Sequence, residues 1–190
     1  MAADTEQALA NSLKKLLGKK TLDKITVRDI TDDCGVNRQT FYYHFQDVYD
    51  LVEWIFTEAA KQYRDRIDLS NWRDVVLQIM NDLTEDKHFV MNTYYSLTRR
   101  QLDQFMQKLF RAPIRNLLDQ ASEDSSASEE EKVFITDMFT YALVGIITEW
   151  IAEGMPQKGA EDLNRLFQMM EGCMAFVVKR MEGDSSVPRR

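Results

Sequence analysis

Glycine and proline are scarce, seven and three residues in a chain of 190, about 5% together where average usage gives about 12%. Tight turns lean on those two residues, so a sandwich or barrel is excluded and helices are expected. Cysteine is scarcer still. Cys34 and Cys173 lie far apart, which makes neither a disulfide framework nor a CxxC pair and points to a reducing cytoplasm. Long apolar runs are also missing. Among the apolar segments the longest free of charge runs from Met138 to Thr148, closed by Asp137 and Glu149, well short of the roughly 20 residues a bilayer needs. No membrane span is expected, and an N-terminus carrying Asp4, Glu6 and four early lysines does not read as a signal peptide. There is no Gly-rich phosphate loop, no ligand spacing of His, Glu and Cys, and no set of nucleophile, base and orienting group. No enzyme, cofactor or metal is therefore expected.

Charge is present but unevenly spread. The whole chain carries a net −7, which by itself argues against a nucleic-acid or anionic partner. Residues 1 to 46, however, hold seven Lys+Arg against six Asp+Glu, a net +1. The remainder holds 17 against 25, a net −8. The acidity belongs to the second part of the chain and marks a boundary near residue 46.

Apolar spacing is helical throughout. Leu9, Leu13, Leu16 and Leu17 form one stripe on a helix from about Asp4 to Lys20. Thr26, with Asp29 three residues later, reads as a capping-box start, with Val27, Ile30 and Cys34 on the buried side. Gly35 is a natural stop, and Asn37 is an N-cap for a third helix running through Phe45. Farther on, Val48, Leu51, Val52, Ile55 and Phe56 form one stripe, and Val75, Val76, Ile79, Met80 and Leu83 form another. The acidic, serine-rich segment 119–132 reads as a solvated loop. Beyond it, 133–153 and 162–181 are helical patterns, and 183–190 reads as a disordered tail.

Function shows in residues 26 to 45, TVRDITDDCGVNRQTFYYHF. With Arg38 at zero on a helical wheel, Phe41 and Phe45 fall near each other, at about 300° and 340°, and define the core side. The far side holds Gln39 and Tyr43, flanked by Thr40, Tyr42 and His44, with Arg38 in the first turn. A merely soluble face is a Glu/Lys mixture, whereas this one offers hydrogen-bonding groups.

Ile30, Gly35, Val36, Thr40, Tyr42, His44, Phe45 and Leu51 match the helix-turn-helix pattern of the TetR family of bacterial one-component regulators, and residues 1 to about 52 resemble it. The run RQTFYYHFQDVYDLVEWI, residues 38 to 55, is similar more narrowly to the branch that regulates dihydroxyacetone kinase genes. Three positions depart from the family pattern: Thr31 stands where Ala is usual, Thr21 where Gly is usual, and Val48 where a phosphate-binding Lys usually opens the fourth helix. The resemblance implies an all-α fold, with a three-helix helix-turn-helix domain followed by a helical effector and dimerisation domain. In a helix-turn-helix the second helix enters the major groove with its N-terminal residues at base edges. Gln39 then suits adenine, Thr40 and Tyr43 suit thymine methyls, and Arg38 suits either guanine or a phosphate. Thr26, Tyr42 and His44 are phosphate candidates, with Arg28 and Lys24 behind them.

Three domain spans follow: 1–46 for DNA binding, 47–182 for effector binding and dimerisation, and 183–190 as the tail. Leu163, Met170 and Val177 repeat every seven residues, as do Phe167, Met174 and Met181. With the small residues Ala142 and Gly145 on the preceding helix, they read as a homodimer interface of the kind the family implies. Trp54, Tyr94, Tyr95, Phe105, Met106 and Tyr141 are candidates for an effector pocket, for a small molecule or a partner protein. The expected partner is a double-stranded DNA operator. The rival expectation is a protein-binding adaptor of the same fold with little DNA affinity.

Overall fold

The computed structural model describes residues 2–64, 66–122, 127–156, 161 and 165. Among these residues the regular structure is helical. Helix α1 spans Ala2–Leu17, and a 3₁₀ turn at Leu22–Lys24 precedes α2 (Val27–Cys34), α3 (Arg38–His44) and α4 (Val48–Arg64). Then come α5 (Trp72–Glu85), α6 (Lys87–Ser96), α7 (Arg99–Ala121) and α8 (Glu129–Ala152).

The first three helices are set by local chemistry. Leu9, Leu13 and Leu17 of α1 are completely buried, and the Ser12 hydroxyl donates to the Ile30 carbonyl at 3.0 Å, tying α1 to α2. The Thr26 hydroxyl accepts from the Asp29 amide while the Asp29 carboxylate accepts from the Thr26 amide, so both halves of the capping box are made. At the other end of α2, Gly35 adopts φ +73°, the left-handed region that a side chain disfavours. Thr31 is buried and spends its hydroxyl on the Arg28 carbonyl at 3.2 Å. That local bond lets a polar residue occupy a position where the family usually places Ala.

Helix α8 is the core helix of the second region. It packs chiefly on α7 and buries ten residues, among them Ile135, Phe139, Leu143, Ile147 and Ile151. By length and mean hydropathy it could cross a membrane, yet over half of its most apolar stretch is covered by the rest of the chain. Buried threonines 136, 140 and 148 turn their hydroxyls back to carbonyls of the same helix. One continuous apolar core joins Leu13 and Phe41 at one end to Phe139 and Ile147 at the other.

Two sequence expectations are corrected. The loop expected over 119–132 is shorter, because α7 runs to Ala121 and α8 begins at Glu129. Among its described acids, Asp119 and Glu129 to Glu131 lie at helix ends. Glu131 completes a capping box with Ser128, and Arg115 holds Glu129 at 2.7 Å and Asp119 at 2.9 Å. The periodicities above also omit α6 and α7. Helix α7 opens with a Thr98–Gln101 capping box and continues through Pro113, a residue that usually breaks helices. The expected helix 162–181 and tail 183–190 lie outside the described residues, apart from Arg165.

A methyl group at Gly35 would meet nothing within 4 Å, so a substitution there is opposed by backbone geometry alone. Gly35→Ala is expected to lower stability by about 1 to 2 kcal/mol, and Gly35→Asn by less, measured as the shift in urea midpoint at constant slope.

Candidate nucleic-acid interface

Helix α3 is seven residues long, too short to persist by its own hydrogen bonds. Its start is held by Asn37, whose side chain accepts from the Thr40 amide at 2.7 Å and from the Thr40 hydroxyl at 3.0 Å. Its inner side is held by Phe41, fully buried, and by Phe45 just beyond its end. The two rings lie 5.8 Å apart, and Phe45 meets Trp54 of α4 edge to face at 5.9 Å. With that side anchored, the opposite side faces solvent. Tyr43 is 84% exposed and Tyr42 52%, and Arg38 and Gln39 are exposed beside them.

Not every candidate contact is equally open. Arg38 lies over the Tyr42 ring at 5.9 Å and reaches its hydroxyl at 3.4 Å, so the two form one outward unit. Thr40 is half-buried and commits its hydroxyl to Asn37. Thr26, Arg28 and Lys24 are exposed. Arg28 is paired with Asp32 at 3.3 Å, and the Thr26 hydroxyl both accepts from and donates to Asp29. A phosphate at Thr26 would thus meet backbone N–H groups rather than a free hydroxyl.

His44 departs from the expected open position. Its side chain is only 9% exposed, and Nδ1 sits 3.1 Å from the Glu6 carboxylate on α1. The nearby acid draws the ring inward, and a phosphate can be met only through Nε2. Glu6 itself was missed in the sequence, because its partner lies 38 positions away.

Val48 opens α4 half-buried against the core. The surrounding turn is acidic: Asp47 accepts from the Asp50 amide at 2.9 Å, and Asp50 accepts from the Gln46 amide at 2.9 Å. The helix start that usually carries a basic phosphate contact carries two carboxylates here.

Residues 12–55 match the family described as "Bacterial regulatory proteins, tetR family", and residues 70–172 match a "Transcriptional regulator C-terminal region" of TetR type. The chain belongs to the tetR family. The HTH-type dhaKLM operon transcriptional activator DhaS of Lactococcus lactis subsp. lactis (strain IL1403) is 26% identical over 185 residues, covering 94% of this chain and 92% of that protein. A solved structure titled "Dihydroxyacetone kinase operon activator DhaS" superposes with a TM-score of 0.66 at 22% identity, covering 94% of this chain and 98% of that one. This tetR-family chain is thus a DNA-binding transcription regulator and not an enzyme.

Between α4, α5, α6, α7 and α8 lies a cavity of about 860 Å³. Of the pocket candidates, Tyr94, Phe105 and Met106 line it, and Trp54, Tyr95 and Tyr141 do not. Trp54 is taken up by Phe45, and Tyr95 and Tyr141 point outward. The wall also includes Tyr63, Asp82, Phe89 and Thr93, which helical spacing alone does not single out because they meet only through packing. The Tyr63 hydroxyl donates to Asp82, and burial, followed by that carboxylate, pushes the phenol up to about 12. Ala142 and Gly145 lie exposed on α8, on the same side as exposed Phe134, Met138 and Tyr141. Leu163, Phe167, Met170, Met174, Val177 and Met181 lie outside the described residues.

The Asp29 carboxyl is held at about 2, below the ordinary 3.8, first by the Thr26 amide, then by the Thr26 hydroxyl and by Lys20. A lowered folded-state value means that the stabilisation is present above the unfolded value of 3.8 and is lost as the pH falls towards 2. Asp29→Asn should make this stretch of the acid-unfolding curve shallower, as followed by circular dichroism.

Proposed function

We propose that the protein acts as a homodimer on a palindromic DNA operator, in the cytoplasm, and that a ligand or partner in the second region controls its DNA affinity. Residues 1–46 read DNA, 47–182 carry effector binding and pairing, and 183–190 form a tail. The observation that carries this reading is the outward face of α3, where Arg38, Gln39, Tyr42 and Tyr43 are presented to solvent by a helix whose inner Phe41 is wholly buried. In a dimer, two such helices about 34 to 36 Å apart would enter successive major grooves. The exposed stripe of Phe134, Met138, Tyr141, Ala142 and Gly145 on α8 supports pairing through that face, together with the apolar repeat of Leu163, Phe167, Met170, Met174, Val177 and Met181. Similarity to the dhaKLM operon activator supports dihydroxyacetone kinase genes as targets.

A second reading, an adaptor with little DNA affinity, draws on Asp47 and Asp50 at the start of α4 and on the net +1 of the reading half. Selection from random DNA separates the two. An enriched palindrome is expected, and no enrichment, with or without candidate ligands, would favour the adaptor.

On the selected operator, Gln39→Ala should cost about 1 to 3 kcal/mol at one base step and relax specificity there. An unchanged base preference would remove Gln39 from the reading residues. Val48→Lys should strengthen binding to all sequences and steepen the salt dependence by about one unit of slope, measured by titration at several salt concentrations.

A further inference from the structure

Six charged side chains line the cavity, Lys14, Lys61, Arg64, Asp82, Asp86 and Lys108, each with a partner. Lys61 and Lys108 are tied to Glu58 and Glu53, neither of which lines the space. Asp82 accepts from Tyr63. Lys14 is different. It comes from α1, in the DNA-reading half, yet its Nζ is 2.6 Å from Asp86 Oδ2 at the start of α6 and 5.2 Å from the centre of the Phe89 ring. Lys14, Asp86 and Phe89 all line the cavity. Asp86, Phe89 and Thr93 are spaced i, i+3 and i+7 and so share one face of α6. Thr93 also lines the cavity, and its Oγ1 is buried with no hydrogen-bond partner among the described residues.

We propose that the cavity takes an anionic amphipathic ligand, an apolar body with one carboxylate-like head, and that this head pairs with Lys14 in place of Asp86. The volume lies within the range of small-molecule sites, and apolar and aromatic side chains dominate the wall. The exchange is inexpensive in charge. The Asp86 side chain is 54% exposed and returns to water, while Lys14 trades one carboxylate for another and is never left unpaired. A cationic head would instead have to take Asp86 and release Lys14, the less exposed partner at 39% and the one that lies over the Phe89 ring. A neutral head would leave the pair untouched. The exchange also loosens a tie between α1 and α6, which are joined as well by the Asn92 side-chain amide donating to the Leu17 carbonyl at 2.7 Å. Anion binding thereby acts on the helix that supports the reading head. This deepens the ligand-control reading above and rests on it for its regulatory part.

The test uses the full chain without DNA. The neutral dye phenylnaphthylamine is bound to the protein and then displaced by decanoate, decanol or decylamine, which share one body and differ in head charge. Decanoate is expected to displace the dye at about one half to one fifth of the decanol concentration, the modest factor that a partly exposed ion pair confers. Lys14→Gln should erase that advantage and leave the decanol value unchanged, and Asp86→Asn should enlarge it. Opposite signs from two conservative changes cannot come from general loosening of the fold. The proposal is overturned if the three heads compete equally, if decylamine competes best, if the decanoate advantage survives Lys14→Gln, or if the dye does not bind. Failure here leaves DNA reading untouched, and a failed operator selection leaves the anion preference standing.

Discussion

A helix of seven residues cannot hold itself together in water, so the reading face of α3 depends on the burial of Phe41. That ring has no exposure at all and belongs to the same core as Leu9 and Leu13 of α1 and Ile30 of α2. Removing a buried aromatic of this size typically costs about 3 to 5 kcal/mol, a large part of the stability of a small domain. Everything outward on α3, from Arg38 to Tyr43, is aimed by that inward contact. The caps at Thr26 and Asn37 and the left-handed Gly35 then set where the two short helices begin and end.

The same aromatic line continues out of the reading head. Phe41 touches Phe45, and Phe45 touches Trp54 on α4. Helix α4 then runs on to Tyr63 at the cavity. A second connection runs from Lys14 on α1 to Asp86 and Phe89. The reading head is therefore packed, not merely tethered, to the helices around the cavity. A change in cavity packing has two physical routes to the head, one through dense apolar contact and one through an ion pair.

Charge and local pattern were legible in the chain itself. The net charge splits into +1 before residue 47 and −8 after it, and the stripe Leu9, Leu13, Leu17 located α1. Thr26, Gly35 and Asn37 act as caps and stop because these depend on neighbours three or four residues away. The acidic segment before α8 misled for the opposite reason. Asp119 and Glu129 are partners of Arg115, and Glu131 accepts from the Ser128 amide, contacts that composition does not reveal.

The sequence by itself determined the helical architecture and which side of α3 turns outward, since both follow from spacing within one turn or one helix. Only the tertiary structure decided which side chains are free to act. His44 turned to Glu6, Trp54 was claimed by Phe45, and Tyr95 and Tyr141 faced out while Tyr63, Phe89 and Thr93 closed around the cavity. The physical reason is the same in each case. Periodicity says which side of a helix is apolar, but a pocket or an ion pair forms between sides of different helices, and their meeting is set by packing across the whole core.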